Sequence, residues 1–159
     1  MNFVTADLYD DHGDKLQVAS PIFSNYGGTR RFFGPIATVK VHEDNALVRQ
    51  TLEQDGKGQV LIVDGGGSLR CALVGDLLVA LALKNNWAGL IVYGCIRDSV
   101  EIGKIAVGVK AMNTNPRKSI KKGAGDMNIP VHFVDVTFTP GHFVYADEDG
   151  VLVSDTALF

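Results

Sequence analysis

A single α/β domain on a layered or barrel-like sheet is the fold class this sequence predicts, and three observations predict it. Apolar runs of strand length alternate with helix-spaced patterns through the front half of the chain. Beyond Arg97-Asp98 the elements shorten to brief runs between turn residues, so the back half reads as β-rich. No internal repeat and no obvious linker divides the 159 residues, a length that buries a full core as one domain over 1–159.

Each element has a local reason. Thr5–His12 opens on a capping residue and carries Asp7, Leu8 and Tyr9, which predicts a short helix. Gly27-Gly28 and Gly34-Pro35 mark turns. Ile36–Val41 alternates β-branched and polar residues and predicts a strand. Asp44 can cap a helix over Asn45–Gln54, with Leu47, Val48, Thr51 and Leu52 on one face and Gly56-Lys57-Gly58 as its stop. Gln59–Val63 reads as a strand, Asp76–Asn86 as a strongly apolar helix, and Leu90–Tyr93 as a buried strand. Val107–Met112 and Val131–Phe138 are each predicted as one strand. Pro140-Gly141 turns into Phe143–Tyr145, and Asp147–Gly150 turns into Val151–Val153.

Bulk properties exclude several classes. Hydrophobic content of 46% with 21% charged residues is that of a soluble globular protein, and no apolar run reaches membrane-spanning length. The first residues, Met1 to Asp7, lack the basic and apolar regions of a signal peptide, so a cytoplasmic location is expected. A net charge of −3 argues against a general nucleic-acid binder. Cys71 and Cys95 lack CxxC spacing and read as core thiols. His12, His42, His132 and His142 form no zinc pattern.

The chemistry concentrates where Asp76 is followed, after twenty residues, by Arg97-Asp98. A β–loop–α–β unit would carry these residues to loop ends, where folds keep their reactive groups. At Gly75-Asp76-Leu77-Leu78, free amides and the helix dipole make an anion site, and Gly75 lets a small acid approach them. Asp76 as a plain helix cap is the simpler alternative. Arg97 offers a planar fork suited to a carboxylate. Asp98 offers a hard oxygen for Mg²⁺ or Mn²⁺, which keep several waters; a surface ion pair is the alternative. Gly65-Gly66-Gly67-Ser68 lacks the lysine and spacing of a nucleotide loop and is expected to make a tight strand-to-helix connection lining the same pocket. Arg117, Lys118, Lys121 and Lys122 form a basic cluster, read as a solvated loop or subunit contact.

Several stretches together resemble the family that joins bacterial regulators of ribonuclease E activity A to the class II 4-hydroxy-4-methyl-2-oxoglutarate aldolases. They are Ser24–Gly28, Val63–Arg70, Val74–Asp76, Tyr93–Asp98 and Tyr145–Gly150, and the family's D-x20-R-D pattern is filled by Asp76, Arg97 and Asp98. The resemblance implies an αββα sandwich around a small β-barrel, of the phosphohistidine-domain-like swivelling type. It implies homotrimers, sometimes paired as hexamers, with the active site between subunits. It further implies that the amides of Gly75 to Leu78 hold the carboxylate of a pyruvate-like substrate. Arg97 would bind the oxo oxygen, Asp98 would hold Mg²⁺ or Mn²⁺, and Asp76 would orient a metal-bound water.

The expected activity is metal-dependent lysis of 2-oxo acids through a pyruvate enolate. Retro-aldol cleavage of 4-hydroxy-4-methyl-2-oxoglutarate and decarboxylation of oxaloacetate both pass through that enolate. Longer aldolase members send an acidic residue on a C-terminal arm into the neighbouring site; this chain stops at Phe159, so decarboxylation is expected to be at least as robust as aldol cleavage. The competing expectation is a non-enzymatic regulator that binds ribonuclease E, for which Arg97-Asp98 would have no physical need. Methyl transfer finds no S-adenosylmethionine loop in the sequence.

Overall fold

The computed structural model describes residues 2–159; Met1, the first residue of the expected domain, lies outside them. In chain order the front half runs α1 (Thr5–His12), β1 (Leu16–Val18), β2 (Ser24–Asn25), β3 (Phe32–Lys40), α2 (Ala46–Leu52), β4 (Val60–Asp64), β5 (Ala72–Val74), α3 (Asp76–Lys84) and β6 (Gly89–Ile96). The back half runs α4 (Ser99–Ile102), β7 (Gly108–Thr114), β8 (Asp126–Met127), β9 (Val131–Phe133), β10 (Val136–Phe138), β11 (Phe143–Ala146) and β12 (Val151–Ser154).

The nine-residue strand β3 joins two kinds of sheet because its partners change midway. Phe32–Pro35 pair antiparallel with β11, whereas Ile36–Lys40 pair parallel with β4. From β4 the parallel part continues to β6 and β7, and β5 adds to β6. From β11 the antiparallel part continues through β12 to β1. The result is a mixed α/β fold in which the main sheet follows the order β1-β12-β11-β3-β4-β6-β7-β2. β4 and β6 are buried on both faces, which is why their sequences are continuous apolar runs.

Residues from α2, α3 and α4 (Val48, Leu52, Leu78, Val79 and Ile102) close one core with Val39, Leu61, Val63 and Leu90 of the sheet. A second core holds Ile36, Ile62 and Ile91 with Phe133, Phe138 and Val144. A third, smaller cluster joins Phe3 and Leu8 to Tyr145 and Leu152.

Four local expectations are corrected. Gly34-Pro35, expected as a turn, lies inside β3, where both residues pair with β11 just before the strand changes partner. Val131–Phe138 is a hairpin of β9 and β10, with Val134 and Asp135 both at positive φ (50° and 65°). Ser20 secures that turn, its amide donating to the Val134 carbonyl at 2.9 Å and its hydroxyl to Asp135 at 2.6 Å. Buried positions slip phase from Val131 and Phe133 to Val136 and Phe138, as a two-residue turn requires. Thr5 does not cap α1 with its own side chain; the buried Asp147 carboxylate does so from the far end of the chain, accepting from the Thr5 amide and hydroxyl at 2.7 Å each. The Gly65–Ser68 turn joins β4 to β5, strand to strand, and its amides face inward. Gly65 and Gly67 both donate to the Tyr93 carbonyl at 3.1 Å. Gly66 and Gly67 adopt φ of 67° and 73°, left-handed values that a residue with a Cβ adopts only under strain.

Candidate active site

Asp76 and Arg97-Asp98 meet because β5 and β6 lie side by side and parallel, and both end at the same edge. The Arg97 amide donates to the Val74 carbonyl at 2.9 Å, so the chain leaves β6 directly beside the start of α3. Asp98 then adopts left-handed backbone angles (φ 59°, ψ 39°), which turns its carboxylate back over that start. Aspartate tolerates this region better than most side chains. Oδ2 of Asp98 accepts from the Asp76 amide at 3.1 Å. A carboxylate thus already rests on the first turn of α3, where the amides of Leu77 and Leu78 also have no carbonyl one turn earlier within the helix.

Gly75 is needed there for space. Its backbone is extended, but a Cβ at this position would lie 2.7 Å from Oδ2 of Asp98. The predicted quartet Gly75, Asp76, Leu77 and Leu78 lines one cleft of about 110 Å³ together with Arg97 and Asp98. Leu78 is buried in the core and Leu77 is 75% exposed at the rim. Arg97 makes one weak contact, Nη1 to the Pro116 carbonyl at 3.5 Å, so its guanidinium is largely uncommitted.

Asn45, Ala46, Arg49, Ala72 and Ser119, which were not singled out in the sequence, complete the lining together with Lys118 and Lys121, which were expected in a solvated loop or subunit contact. Asn45 bridges α2 to β5 through a 3.1 Å bond to the Leu73 carbonyl. The basic segment is an ordered wall of the cleft. The Arg117 carbonyl accepts from the Ala72 amide at 2.8 Å, and the Ile120 backbone is bonded to Glu43 and Asn45. The buried Asp44 carboxylate holds the next turn, accepting from the amides of Ala46 (3.0 Å), Lys122 (3.1 Å) and Ala124 (3.1 Å). Burial pushes the pKa of Asp44 up, but these donors outweigh it and keep the carboxyl below its ordinary value. Arg117 and Lys122 do not line the cleft, nor does the Gly65–Ser68 turn expected there. The only available signal for Lys118 and Lys121 was a cation cluster in an acidic chain.

The residues fit a hard divalent cation. Asp98 is exposed at the cleft, and Asp76 lies beside it. No group of three His, Cys, Asp or Glu side chains forms a ligand cage among the described residues; a cation that keeps most of its waters, such as Mg²⁺, needs few protein ligands.

The family model described as RraA-like, Aldolase/RraA, matches residues 5–153. The chain belongs to the RraA-like family. A relative from Aromatoleum aromaticum, named "Putative 4-hydroxy-4-methyl-2-oxoglutarate aldolase", is 61% identical over 158 residues, 99% of each chain. Two solved RraA-like folds superpose with a TM-score of 0.96. One, described as an S-adenosylmethionine:2-dimethylmenaquinone methyltransferase from Geobacillus kaustophilus, is 51% identical over 98% of this chain and 97% of its own. The other, described as the RNA-processing inhibitor RraA from Thermus thermophilus, is 42% identical over 100% of this chain and 96% of its own. The aldolase and regulator branches that the motifs resembled are therefore both represented among its relatives. No helix among the described residues is long and apolar enough to cross a membrane.

Proposed function

We propose that this RraA-like protein is a cytoplasmic, divalent-metal-dependent lyase that breaks a C–C bond of 2-oxo acids to release a pyruvate enolate. The observation that carries this reading is the parallel end of β5 and β6, which gathers the start of α3, Arg97 and two carboxylates around one small cleft. Its relatives' aldolase names support the same chemistry. A cleft of about 110 Å³ suits the head of a small acid.

The residues divide the work as follows. The amides of Gly75 to Leu78 receive the substrate carboxylate. Arg97 binds the 2-oxo oxygen and stabilises the negative charge that develops there as the bond breaks. Asp98 would hold Mg²⁺ or Mn²⁺, which would supply Lewis-acid polarisation at that oxygen. Asp76 orients a water that carries protons to and from the substrate. In 4-hydroxy-4-methyl-2-oxoglutarate the C3–C4 bond breaks, the C4 hydroxyl gives up its proton, and C3 of the enolate later gains one, giving two pyruvates. In oxaloacetate the same bond position yields CO₂ and the enolate, with no hydroxyl to deprotonate.

This difference gives a testable ranking. If Asp98 is committed to the metal, Asp76 is the remaining carboxylate among the lining residues to act as base. Decarboxylation needs none, so oxaloacetate turnover is expected to equal or exceed turnover of the hydroxy acid. Coupled pyruvate assays on both substrates decide it, and faster hydroxy-acid turnover defeats the ranking.

A second test uses Gly75→Ala. The intruding Cβ meets the end of a flexible side chain, so the fold should survive while Asp98 is displaced. A fall of about tenfold or more in kcat/KM with an unchanged melting temperature is expected, since small misplacements are costly in active sites. Full activity would show that the Asp98 position does not matter.

We further propose a homotrimer, or a pair of trimers, with this cleft at the subunit contact. Leu77 and Val100, 75% and 73% exposed, support a covered surface beside the cleft. Light scattering measures it. A regulatory reading is favoured by the descriptions of relatives, among them the Thermus protein. Capture of a ribonuclease E scaffold segment, unaffected by Asp98→Ala and with no turnover in the parent, would replace the lyase by a regulator.

A further inference from the structure

Two stretches that carried the family resemblance, Ser24–Gly28 and Tyr145–Gly150, take no part in the cleft, and they meet at Lys110 of β7. Asn25 is its direct antiparallel partner, and the amides of Tyr26 and Gly27 both donate to the neighbouring Val109 carbonyl. Lys110 is in register with Ile91 of β6, a member of the second core, so its stem runs along the same apolar face. The residue is only 2% exposed. It lines a cavity of about 40 Å³ with Phe23 and Val151, and with the exposed Glu148 and Asp149. None of these residues lines the cleft of Asp76 and Asp98.

A buried ammonium is normally paired or hydrogen-bonded. Among the described residues that of Lys110 is neither, because the acids around it stand off or are engaged. Asp147 is held by Thr5 and the Asp149 amide, and Glu148 faces Arg31 at 3.7 Å. Even the buried side-chain oxygen of Asn25, opposite Lys110 in the ladder, receives no donor. Burial pushes the Lys110 pKa below its ordinary 10.5, against the pull of Asp147, Glu148 and Asp149.

The geometry points to a binding site for a small hydroxylated oxyanion, bicarbonate, in the cavity between Lys110 and Asp149. Size is the first reason. A water takes roughly 10–15 Å³ of such space, so the cavity admits about three or four heavy atoms, the size of bicarbonate. Charge is the second. An ammonium only donates, so the ligand must bring acceptor oxygens. Ionised Glu148 and Asp149 only accept, so an anion without a proton to share meets them unfavourably. A hydroxyl turned toward Asp149 replaces that repulsion with a charge-assisted hydrogen bond. Bicarbonate carries both ends in one planar ion, oxygens for Lys110 and a hydroxyl for Asp149. The site stands apart from the lyase chemistry and requires no metal.

Nitrate is the control, since it matches bicarbonate in shape and charge and lacks the hydroxyl. Calorimetric titration of the EDTA-treated protein, at mildly alkaline pH and fixed ionic strength, measures both anions. Bicarbonate should bind about tenfold or more tightly than nitrate, the effect of one hydrogen bond to a charged group. Lys110→Met should abolish bicarbonate binding. Its melting temperature without ligand should equal or exceed the parent's, because an apolar chain replaces an unpaired buried charge. Asp149→Asn, at an exposed position, should shrink the preference over nitrate severalfold, since an amide serves both anions. If Lys110→Met does not fold, Asp149→Asn decides, and an unchanged preference there defeats the site. Equal affinities in the parent protein, or no heat from either anion, would leave the cavity to water and overturn the proposal. Bicarbonate binding that survives Lys110→Met would also overturn it, placing the ion elsewhere on the protein.

Discussion

Asp98→Ala should reduce metal-dependent pyruvate release from oxaloacetate by about a thousandfold or more, with EDTA treatment of the parent protein giving the same loss. Lewis-acid stabilisation contributes several kcal/mol to such a transition state, and each 1.36 kcal/mol is a factor of ten. Asp98 is exposed and forms no part of the core clusters, so the variant should stay folded and its melting temperature should move little. The substitution also frees the Asp76 amide, which now donates to Oδ2 of Asp98. That change favours substrate carboxylate binding, so a loss in kcat rather than in affinity is expected. The assay is pyruvate formation with Mg²⁺ or Mn²⁺, less the metal-only background. Turnover above background that survives both EDTA and the substitution would remove Asp98 from the chemistry.

The largest stability effect is expected at Asp147. Its carboxylate is 2% exposed and accepts from the Thr5 amide and hydroxyl at 2.7 Å and from the Asp149 amide at 2.9 Å. It thus caps α1 and closes the β11–β12 turn at once. Asp147→Ala leaves these buried donors unsatisfied and should cost about 2–4 kcal/mol, given roughly 1–3 kcal/mol for each abandoned group and partial rescue by water. Chemical denaturation measures it, and a cost under about 0.5 kcal/mol, the size of an ordinary surface change, would mean water replaces the carboxylate.

The same group sets an acid limit. Burial pushes the Asp147 pKa up, but the Thr5, Asp149 and Gly150 donors outweigh it and hold the carboxyl below its ordinary 3.8. Asp44 behaves alike, from the same ordinary value of 3.8. For a depressed carboxyl, the stability is fully present above the unfolded pKa and is lost as pH falls through the folded one. Unfolding free energy should therefore hold from neutral pH down to about pH 5 and decline below about pH 4. Asp147→Asn should flatten that decline; an unchanged acid slope would assign it to other carboxylates.

The cleft lines up with the sequence where chemistry and chain neighbourhood coincide. Gly75 to Leu78 are consecutive at a helix start, and Arg97-Asp98 follow an apolar strand, so residue type and local pattern were enough to single them out. Asn45, Arg49 and Ser119 carry no such mark. They reach the cleft because the 115–120 segment runs along β5 and residues 43–45, a pairing made by backbone bonds that no side-chain pattern encodes. The hairpin at Val134-Asp135 escaped for a related reason. Its turn holds a β-branched residue at positive φ, tied down by bonds from Ser20, which is distant in sequence.

By itself the sequence determined the α/β class, the buried strand that became β6, and the family's Asp76, Arg97 and Asp98 signature. Apolar periodicity and residue chemistry act locally, and they survive in one dimension. Only the tertiary structure decided that β5 lies parallel against β6, that Asp98 turns back onto the Asp76 amide, and that Asp147 caps a helix more than a hundred residues away. It also decided that two lysines and an orphan serine share the cleft of the predicted carboxylates. Those are long-range pairings, selected by which strand ends can lie together while the buried backbone groups find partners.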